Sequence, residues 1–489
     1  MSTAALQSNL DQSYDRLLAA HDEEALVESF TAKRHSVAER LAAGKALREK
    51  VPRTGHASSP TNLDRADPIE ILERQNQTRL PTLVPVRDAR MLASPFAFLR
   101  GSAAVMAADL AATPTSGSPV AACGDMHVAN FGVFASAERN LIFAINDFDE
   151  VYRGPWEWDL KRLAASAAVA ARFQGGDRVV AEDAAREMVR SYRKRMRRYA
   201  EMGYLEVWYD RIDERAILDS LNPKVRRDAE RFMDRARQKG HLTVLEKLTE
   251  LVNGEHRIIE EVPLIVRETH IGTGMPAHEA LGIMLRSYLA SLPPDRRRLL
   301  ARYRVVDSVR KVVGVGSVGT GCWVVLLQGV DRDDPLFLQV KEAQMSVLAP
   351  HVAFKSPFEN HGQRIVFGQR LTQGSPDIFL GWGEVDGKHF YVRQLTDMKG
   401  SVKFAEGDTT KLANLRDHCT LCGWALALAH AKSGDPVIIA GYCGTSAALD
   451  EAIAKFALAY AKQTEQDYDA LTKARCSGRI QVAMEAVVK

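Results

Sequence analysis

The sequence predicts an α+β protein of two to four domains or lobes, mostly helical outside one β-rich part, and three observations carry that expectation. Apolar residues recur at helical spacing through most of the chain, as at Ile453, Phe456, Ala457 and Tyr460. From Tyr303 the texture changes to β-branched and apolar runs: Val305 onward, Cys322-Trp-Val-Val-Leu-Leu327, and Leu336-Phe-Leu-Gln-Val-Lys-Glu342. At 489 residues the chain is also too long for one simple core. These shifts divide it into a helical extension (1–93), a half carrying an acid-rich motif with a helical region (94–300), a β-rich lobe (301–403) and closing helices (404–489).

The bulk numbers exclude several classes. A formal charge of +3 is small at this size and gives no general case for nucleic acid or an anionic membrane as partner. No apolar run reaches the roughly 18–20 residues a bilayer span needs. The stretch from Met1 to Ser8 lacks the basic segment and apolar core of a secretory signal. Six cysteines are scattered without a framework, and Cys419-Thr-Leu-Cys422 has no second pair to complete a zinc site. The expectation is a cytoplasmic protein with reduced thiols.

Taken in order, residues 9–50 carry helical periodicity, from Leu10, Tyr14, Leu17 and Leu18 to Leu41 and Leu47. Arg53 to Asn62 reads as a turn-rich linker. Asp67-Pro68 opens a helix reaching Asn76. Ser94 to Asp109 reads as one apolar helix with a single cation, Arg100, which suits either a phosphate or a nearby acid. An alanine-rich helix starts at Trp156, and residues 180–300 read as mostly helical and charged. The basic run Arg190 to Arg198 reads as a solvated face, with an anionic-acceptor patch as the alternative. In the β-rich part, further strands are expected at Asp377–Trp382 and His389–Gln394 around the turn Asp386-Gly387, with a helix from Asn360 to Leu371 before them.

The chemistry is concentrated in Cys123-Gly-Asp-Met-His-Val-Ala-Asn-Phe-Gly132 and Ile145-Asn-Asp-Phe-Asp-Glu150. Asp125, His127 and Asn130 precede a short strand, and Asp147 and Asp149 follow it. Hard oxygen donors at this spacing suit Mg2+, which one or two carboxylates hold together with substrate phosphates. A polar hairpin whose acids cap turns would explain fewer of these residues. Gly314-Val-Gly-Ser317-Val-Gly319 fits G-x-G-x-x-G, and the apolar run after it reads as a strand rather than a helix, which disfavours a dinucleotide-binding unit. Strand, glycine loop, strand, then a third strand bearing Lys341 is similar to the nucleotide lobe of kinases. Glu359 is favoured as the acid partner of Lys341 over Glu342, which should point to the opposite strand face. Arg393, Asp397 and Lys399 either line the cleft or pair with one another on the surface.

Gly124-Asp-Met-His-Val-Ala-Asn130, Asn146-Asp-Phe-Asp149 and Asp159-Leu160 resemble the catalytic core of aminoglycoside phosphotransferases and related protein-kinase-like enzymes. Over most of its length the chain also resembles a bacterial family known only as a domain of unknown function, through blocks such as Ser94 to Gly101, Gly124 to Gly132 and Cys422 to His430. The kinase resemblance implies a protein-kinase-like two-lobed fold, and an ATP- and Mg2+-dependent phosphotransferase acting on a hydroxyl acceptor it does not identify. It makes Asp125 the catalytic base, with His127 shaping the loop and Asp159 bracing it. Asn130 and Asp147 would hold Mg2+, with Asp149 beside them. Gly314, Gly316, Ser317 and Gly319 would cover the phosphates, and Lys341 would hold them. The glycine loop follows the catalytic loop by about 190 residues, so the resemblance requires a circular permutation. Nucleotidyl transfer, a nucleotide-sensing pseudokinase and a metal-dependent hydrolase built on Asp125, His127, Asp147 and Asp149 are the alternatives.

Overall fold

Helix α1 (Val37–Lys50) begins where Ser36 and Glu39 close a reciprocal capping box. α2 (Pro68–Asn76) starts at Asp67, whose side chain accepts from the Ile69 amide, with Pro68 in its first turn as the sequence indicated. α3 (Val84–Met91) leads to α4 (Pro95–Gly101) and α5 (Ala103–Ala111). The single helix expected from Ser94 to Asp109 is broken at Ser102, which leaves the helical region of backbone space. The computed structural model describes residues 33–59, 65–271, 274–395 and 398–483, together with residues 27, 30 and 31. The apolar positions from Leu10 to Leu26, and Asp397, lie outside them.

Strands β1 (Pro119–Ala122), β2 (Phe131–Ala135), β3 (Leu141–Ile145) and β4 (Tyr152–Pro155) frame the acid-rich motifs. β1 pairs with β4, and β2 with β3, so the two loops between them come together. Behind them, α6 (Trp156–Phe173) is buried at every position from Trp156 to Ala171. Its alanines let α7 (Arg178–Ala200), α11 (Leu412–Ser433) and α13 (Ala448–Cys476) pack around it into the main core, with α12 (Pro436–Cys443) closing over α1. The numbers α8 to α10 belong to the intervening helices His241–Leu248, Ala277–Ser291 and His361–Gln373.

β5 (Arg304–Lys311), β6 (Cys322–Gln328), β7 (Pro335–Ala343), β8 (Gly381–Val385) and β9 (Lys388–Gln394) form, with the short strand Ile265–Val266, a six-stranded antiparallel sheet. Its order is β8-β9-β7-β6-β5, then Ile265–Val266. Successive side chains of a strand alternate between faces. Leu338, Val340 and Val392 pack on Met284, Tyr288 and Leu292 of and beside α9, each fully buried apolar side chain contributing about 1.5–3 kcal/mol. On the opposite face, Val309, Val324, Leu326 and Phe337 are covered by Leu245 of α8 and Ile258. The uncovered part of that face carries Gln339, Lys341, Tyr391 and Arg393, brought level by the pairings Lys341–Tyr391 and Gln339–Arg393.

Several expectations need correction. Asp377 is not in a strand: β8 starts at Gly381, while the Asp377 carboxylate accepts from the Phe379 and Gln394 amides and fixes the turn before it. The span 180–300 is mostly helical as expected, and adds a hairpin of Thr249–Val252 and Glu255–Ile258 through Asn253-Gly254. Arg53–Ala57 is a 3-10 turn rather than a loose linker, because His56 is wholly buried against the Tyr442 hydroxyl at 2.6 Å. Within the basic run, Arg193 is no acceptor patch: it is buried in a two-point pair with Asp450. All six cysteines are free thiols, and among the described residues no single helix is long and apolar enough to cross a membrane.

Candidate functional site

The loop between β1 and β2 is tied down from below. Asp159, in the first turn of α6, accepts from the amides of Cys123 (Oδ2, 2.6 Å) and Gly124 (Oδ1, 2.9 Å), and His430 Nε2 lies 3.2 Å from the same Oδ2. Gly124 takes φ +75°, which an L side chain rarely adopts, and a Cβ there would meet Glu150 at 2.9 Å. Asp159 therefore ties this loop to the start of α6. His430, in the last turn of α11, is held between Asp159 and Tyr192.

Asp125 is gripped on one oxygen. Arg162 Nη2 and Nε reach Asp125 Oδ1 at 2.5 and 3.2 Å, and Nη2 also donates to the Leu99 carbonyl. Oδ2 makes no hydrogen bond to a described residue; His127 Nε2 stands 3.8 Å from it. Burial drives the His127 imidazole down to about 4, so it is neutral at physiological pH, and its Nδ1 is buried without a hydrogen-bond partner. The Asn130 amide donates to the carbonyls of Asp125 (3.2 Å) and Asp147 (3.3 Å), which locks its orientation across both motif loops and leaves its oxygen as an acceptor.

Lys341 arrives from β7. Its ammonium lies 2.6 Å from Asp149 Oδ2 and 3.4 Å from Asp147 Oδ1, although the lysine is 192 residues beyond Asp149 in sequence. Burial alone would pull the Lys341 ammonium down, yet Asp147 and Asp149 outweigh it and hold it well above the ordinary lysine value. Burial would likewise raise Asp147, but Lys341 and Arg393 hold it below the usual carboxylate range. Glu359 is not the partner: it is exposed, at the surface before α10, and no ion pair joins it to Lys341. The carboxylate that fills this role is Asp149, also bound by the Tyr391 hydroxyl (2.6 Å) and by Ser317 Oγ of the glycine loop (3.3 Å). Glu342 faces away, taking the Gly321 amide.

Arg393 is fixed by Gln339 Oε1 (3.0 Å) and donates to the Asn146 carbonyl at 2.9 Å, immediately before Asp147. It thus lines the cleft rather than the surface. Lys399 lies in the same neighbourhood, its ammonium lowered to about 8 by burial and then by Arg393. Both face a cleft of about 330 Å³ that runs past Phe134, Asn146 and Gln373, large enough for part of a small ligand.

The glycine loop is strapped over the acids from the N-terminal side. The Leu80 amide donates to Gly319 O (2.8 Å), Arg90 to Gly314 O (2.7 Å) and Arg79 to Val318 O, while Val318 packs on Leu83 and Val86. At Gly316 a Cβ would stand 3.3 Å from the Arg100 carbonyl and 3.8 Å from Asp125 Oδ2, so the loop lies directly on the end of α4 and the Asp125 loop.

The residues missed from sequence are arginines and one phenol: Arg162, Arg79, Tyr391 and Arg364. Arg364 of α10 donates to the carbonyls of Asp149 (3.0 Å), Gln344 (2.8 Å) and Val151, binding the helix beside the sheet to the second motif loop. Arg162 had a signal. It and Lys161 are the only full charges within the apolar, alanine-rich part of α6, and a charge in a helix buried on all sides needs a partner.

As a metal centre the site fits Mg2+ only in company with phosphate. No group of three or more His, Cys, Asp or Glu able to hold a metal occurs among the described residues. Asp147 Oδ2 and the Asn130 oxygen are acceptors without a described donor, whereas both Asp149 oxygens are occupied. Two protein oxygens suit an ion that keeps waters and takes the rest of its shell from phosphates.

The profile of a bacterial family described as "Uncharacterized protein conserved in bacteria (DUF2252)" matches residues 79–474. No curated protein and no solved structure matches the chain. The matched span begins at Arg79, the first residue of the strap over the glycine loop. The chain belongs to this bacterial family.

Proposed function

We propose that the chain is an ATP- and Mg2+-dependent phosphotransferase of permuted, protein-kinase-like build, moving the γ-phosphoryl group to an acceptor hydroxyl. The observation that carries this reading is the meeting of Lys341 with Asp147 and Asp149, which joins the glycine-loop sheet to the acid-rich loops. A three-strand meander, a helix and a two-strand hairpin, with a lysine on the third strand and an Arg364 tether to the acid loop, support the same arrangement. A hydrolase built on the acids alone leaves the strapped glycine loop without a role.

In this reading Lys341 keeps Asp149 and exchanges its longer Asp147 contact for α- and β-phosphate oxygens, and the loop from Gly314 to Gly319 covers them. Asn130 and Asp147 hold Mg2+, which when bound neutralises the β- and γ-oxygens. Asp149 stays with Tyr391 and orients the lysine. Arg162 keeps Asp125 Oδ1, so Oδ2 is presented to the acceptor hydroxyl. The bond from γ-phosphorus to the bridging oxygen breaks and its electron pair leaves with ADP. The acceptor oxygen bonds to phosphorus as its proton passes to Asp125. Positioning and charge neutralisation supply the rate.

Mg-ATP at 100 times its Kd should stabilise the fold by about 2.7 kcal/mol, visible as a raised Tm, and Asp147→Ala should abolish the Mg2+-dependent part. Absence of a shift with any nucleotide at millimolar concentration rejects the reading. Transfer of label from γ-labelled but not α-labelled ATP separates phosphoryl from nucleotidyl transfer.

A further inference from the structure

We propose that Arg100 is a ligand of the phosphoryl group in transit, an inference that rests on the phosphotransferase reading. Arg100 ends α4, and its own carbonyl lies under Gly316 of the glycine loop. The residue before it, Leu99, accepts from the same Arg162 that grips Asp125. Arg100 thus sits between the carboxylate that receives the acceptor proton and the loop that covers the phosphates.

Arg100, like Lys399, lacks the ion pairs and hydrogen bonds to described residues that hold the other cations of the site. Lys341 has Asp147 and Asp149, Arg162 has Asp125, and Arg364 and Arg393 have backbone carbonyls of the acid loop. Arg100 makes no ion pair or hydrogen bond to any described residue, and its Nε is buried without a partner. Its one close neighbour is the Phe96 ring, 5.9 Å from the guanidinium carbon. Burial pulls the guanidinium down from its ordinary value and the field of Asp125 only partly restores it. A buried, unpartnered Nε–H on a half-buried guanidinium is costly to keep, and an anion recovers that cost.

Asp125 is already matched, so the anion must come with the substrates. In a loose transition state, charge spreads over the three equatorial oxygens of the transferring group, and a planar fork of donors stabilises it there. As the phosphorus–oxygen bond to ADP breaks and the acceptor oxygen bonds, Arg100 holds those equatorial oxygens. It takes no proton and forms no bond to phosphorus.

The test compares Mg-ATP and Mg-ADP on the full chain and on Arg100→Gln and Arg100→Lys, reading Tm shifts and release of γ-labelled phosphate to water. In the unaltered chain the Mg-ATP shift should exceed the Mg-ADP shift. Arg100→Gln should reduce the Mg-ATP shift to the Mg-ADP level, leave the Mg-ADP shift intact, and lower turnover about 10³-fold or more. Arg100→Lys, a point charge without the fork, should recover part of both losses and carries the test if the glutamine variant does not fold. A full Mg-ATP excess with unchanged turnover in Arg100→Gln overturns the assignment while leaving the phosphotransferase reading standing. A normal Mg-ATP excess with weakened use of an anionic acceptor overturns it in favour of an acceptor ligand. An unaltered chain that responds to neither nucleotide overturns both.

Discussion

Replacing Lys341 by Met tests the join between the two halves directly, because methionine keeps the stem and removes the charge. Lys341 is 3% exposed, while Asp149 and Asp147 are 26% and 38% exposed. Stranding partners of a buried ion pair costs about 3–5 kcal/mol, but solvent reaches both acids here, which brings the figure to about 2–3 kcal/mol. For a folding unit of a few hundred residues that is a fall in Tm of roughly 4–8 °C in EDTA at pH 7. The sign with pH follows from Asp147, whose folded-state value is held below its ordinary 3.8. Its share of the stability is present above that value and is lost as pH falls through the lowered one, so the gap between the two proteins should close in acid. Mg2+ supplies another cation for the freed carboxylates and should restore the variant more than the unaltered chain, where the lysine competes for them. Thermal denaturation with EDTA and with 10-fold steps of Mg2+ reads both effects. Equal midpoints in EDTA, or equal gains with Mg2+, would refute the view that this pair joins the halves.

Two further predictions follow from groups held away from water. Burial drives His56 down from 6.5 to about 3, so the folded protein stays unprotonated there while the unfolded chain takes up a proton. This contribution is complete above pH 6.5 and falls by about 2 kcal/mol between pH 7 and 5; His56→Gln should therefore flatten the loss of Tm over that window, and an unchanged slope would refute it. Arg162→Lys should lower kcat by about 100-fold with the Mg-ATP Tm shift unchanged, since it loosens Asp125 without touching the phosphates; a loss of nucleotide binding instead would show that Arg162 acts on the nucleotide side.

Local signals in the sequence locate the elements well, and the contacts that complete the site poorly. Asp67-Pro68, the glycine run and the turn Asp386-Gly387 specify backbone directly, and each lies where its chemistry indicates. Asn253-Gly254 carried an equally direct hairpin signal, since both residues take positive φ, and it was obscured by the surrounding charge. The choice between Glu359 and Asp149 was of another kind. Sequence nearness to the helix favoured Glu359, but the register of β7 on β9 sets Lys341 beside Tyr391, and the Tyr391 hydroxyl fixes Asp149. A partner chosen by sheet register and by a loop 192 residues away leaves no trace in local spacing.

The charge inventory around the motif explains why the arginines, rather than the acids, define what the site is for. Lys341, Arg79, Arg100, Arg162, Arg364, Arg393 and Lys399 give seven cationic groups, against Asp125, Asp147, Asp149, Glu150, Asp159 and Glu342, a difference of one. Burial pushes Glu150 up to about 7, so its negative charge is incomplete at neutral pH and the excess is larger still. An acid-lined metal centre would show the reverse balance. Such an excess is unfavourable in the absence of ligand, and its cost is visible in Lys399, lowered to about 8 by burial and by Arg393. A polyanion entering the cleft removes that cost. In the phosphotransferase reading it would reach from Arg393 to Lys341 and Arg100 and bring the oxygens to complete a Mg2+ shell that Asn130 and Asp147 would begin. Binding and metal uptake are then coupled by charge: each should strengthen the other by the same factor.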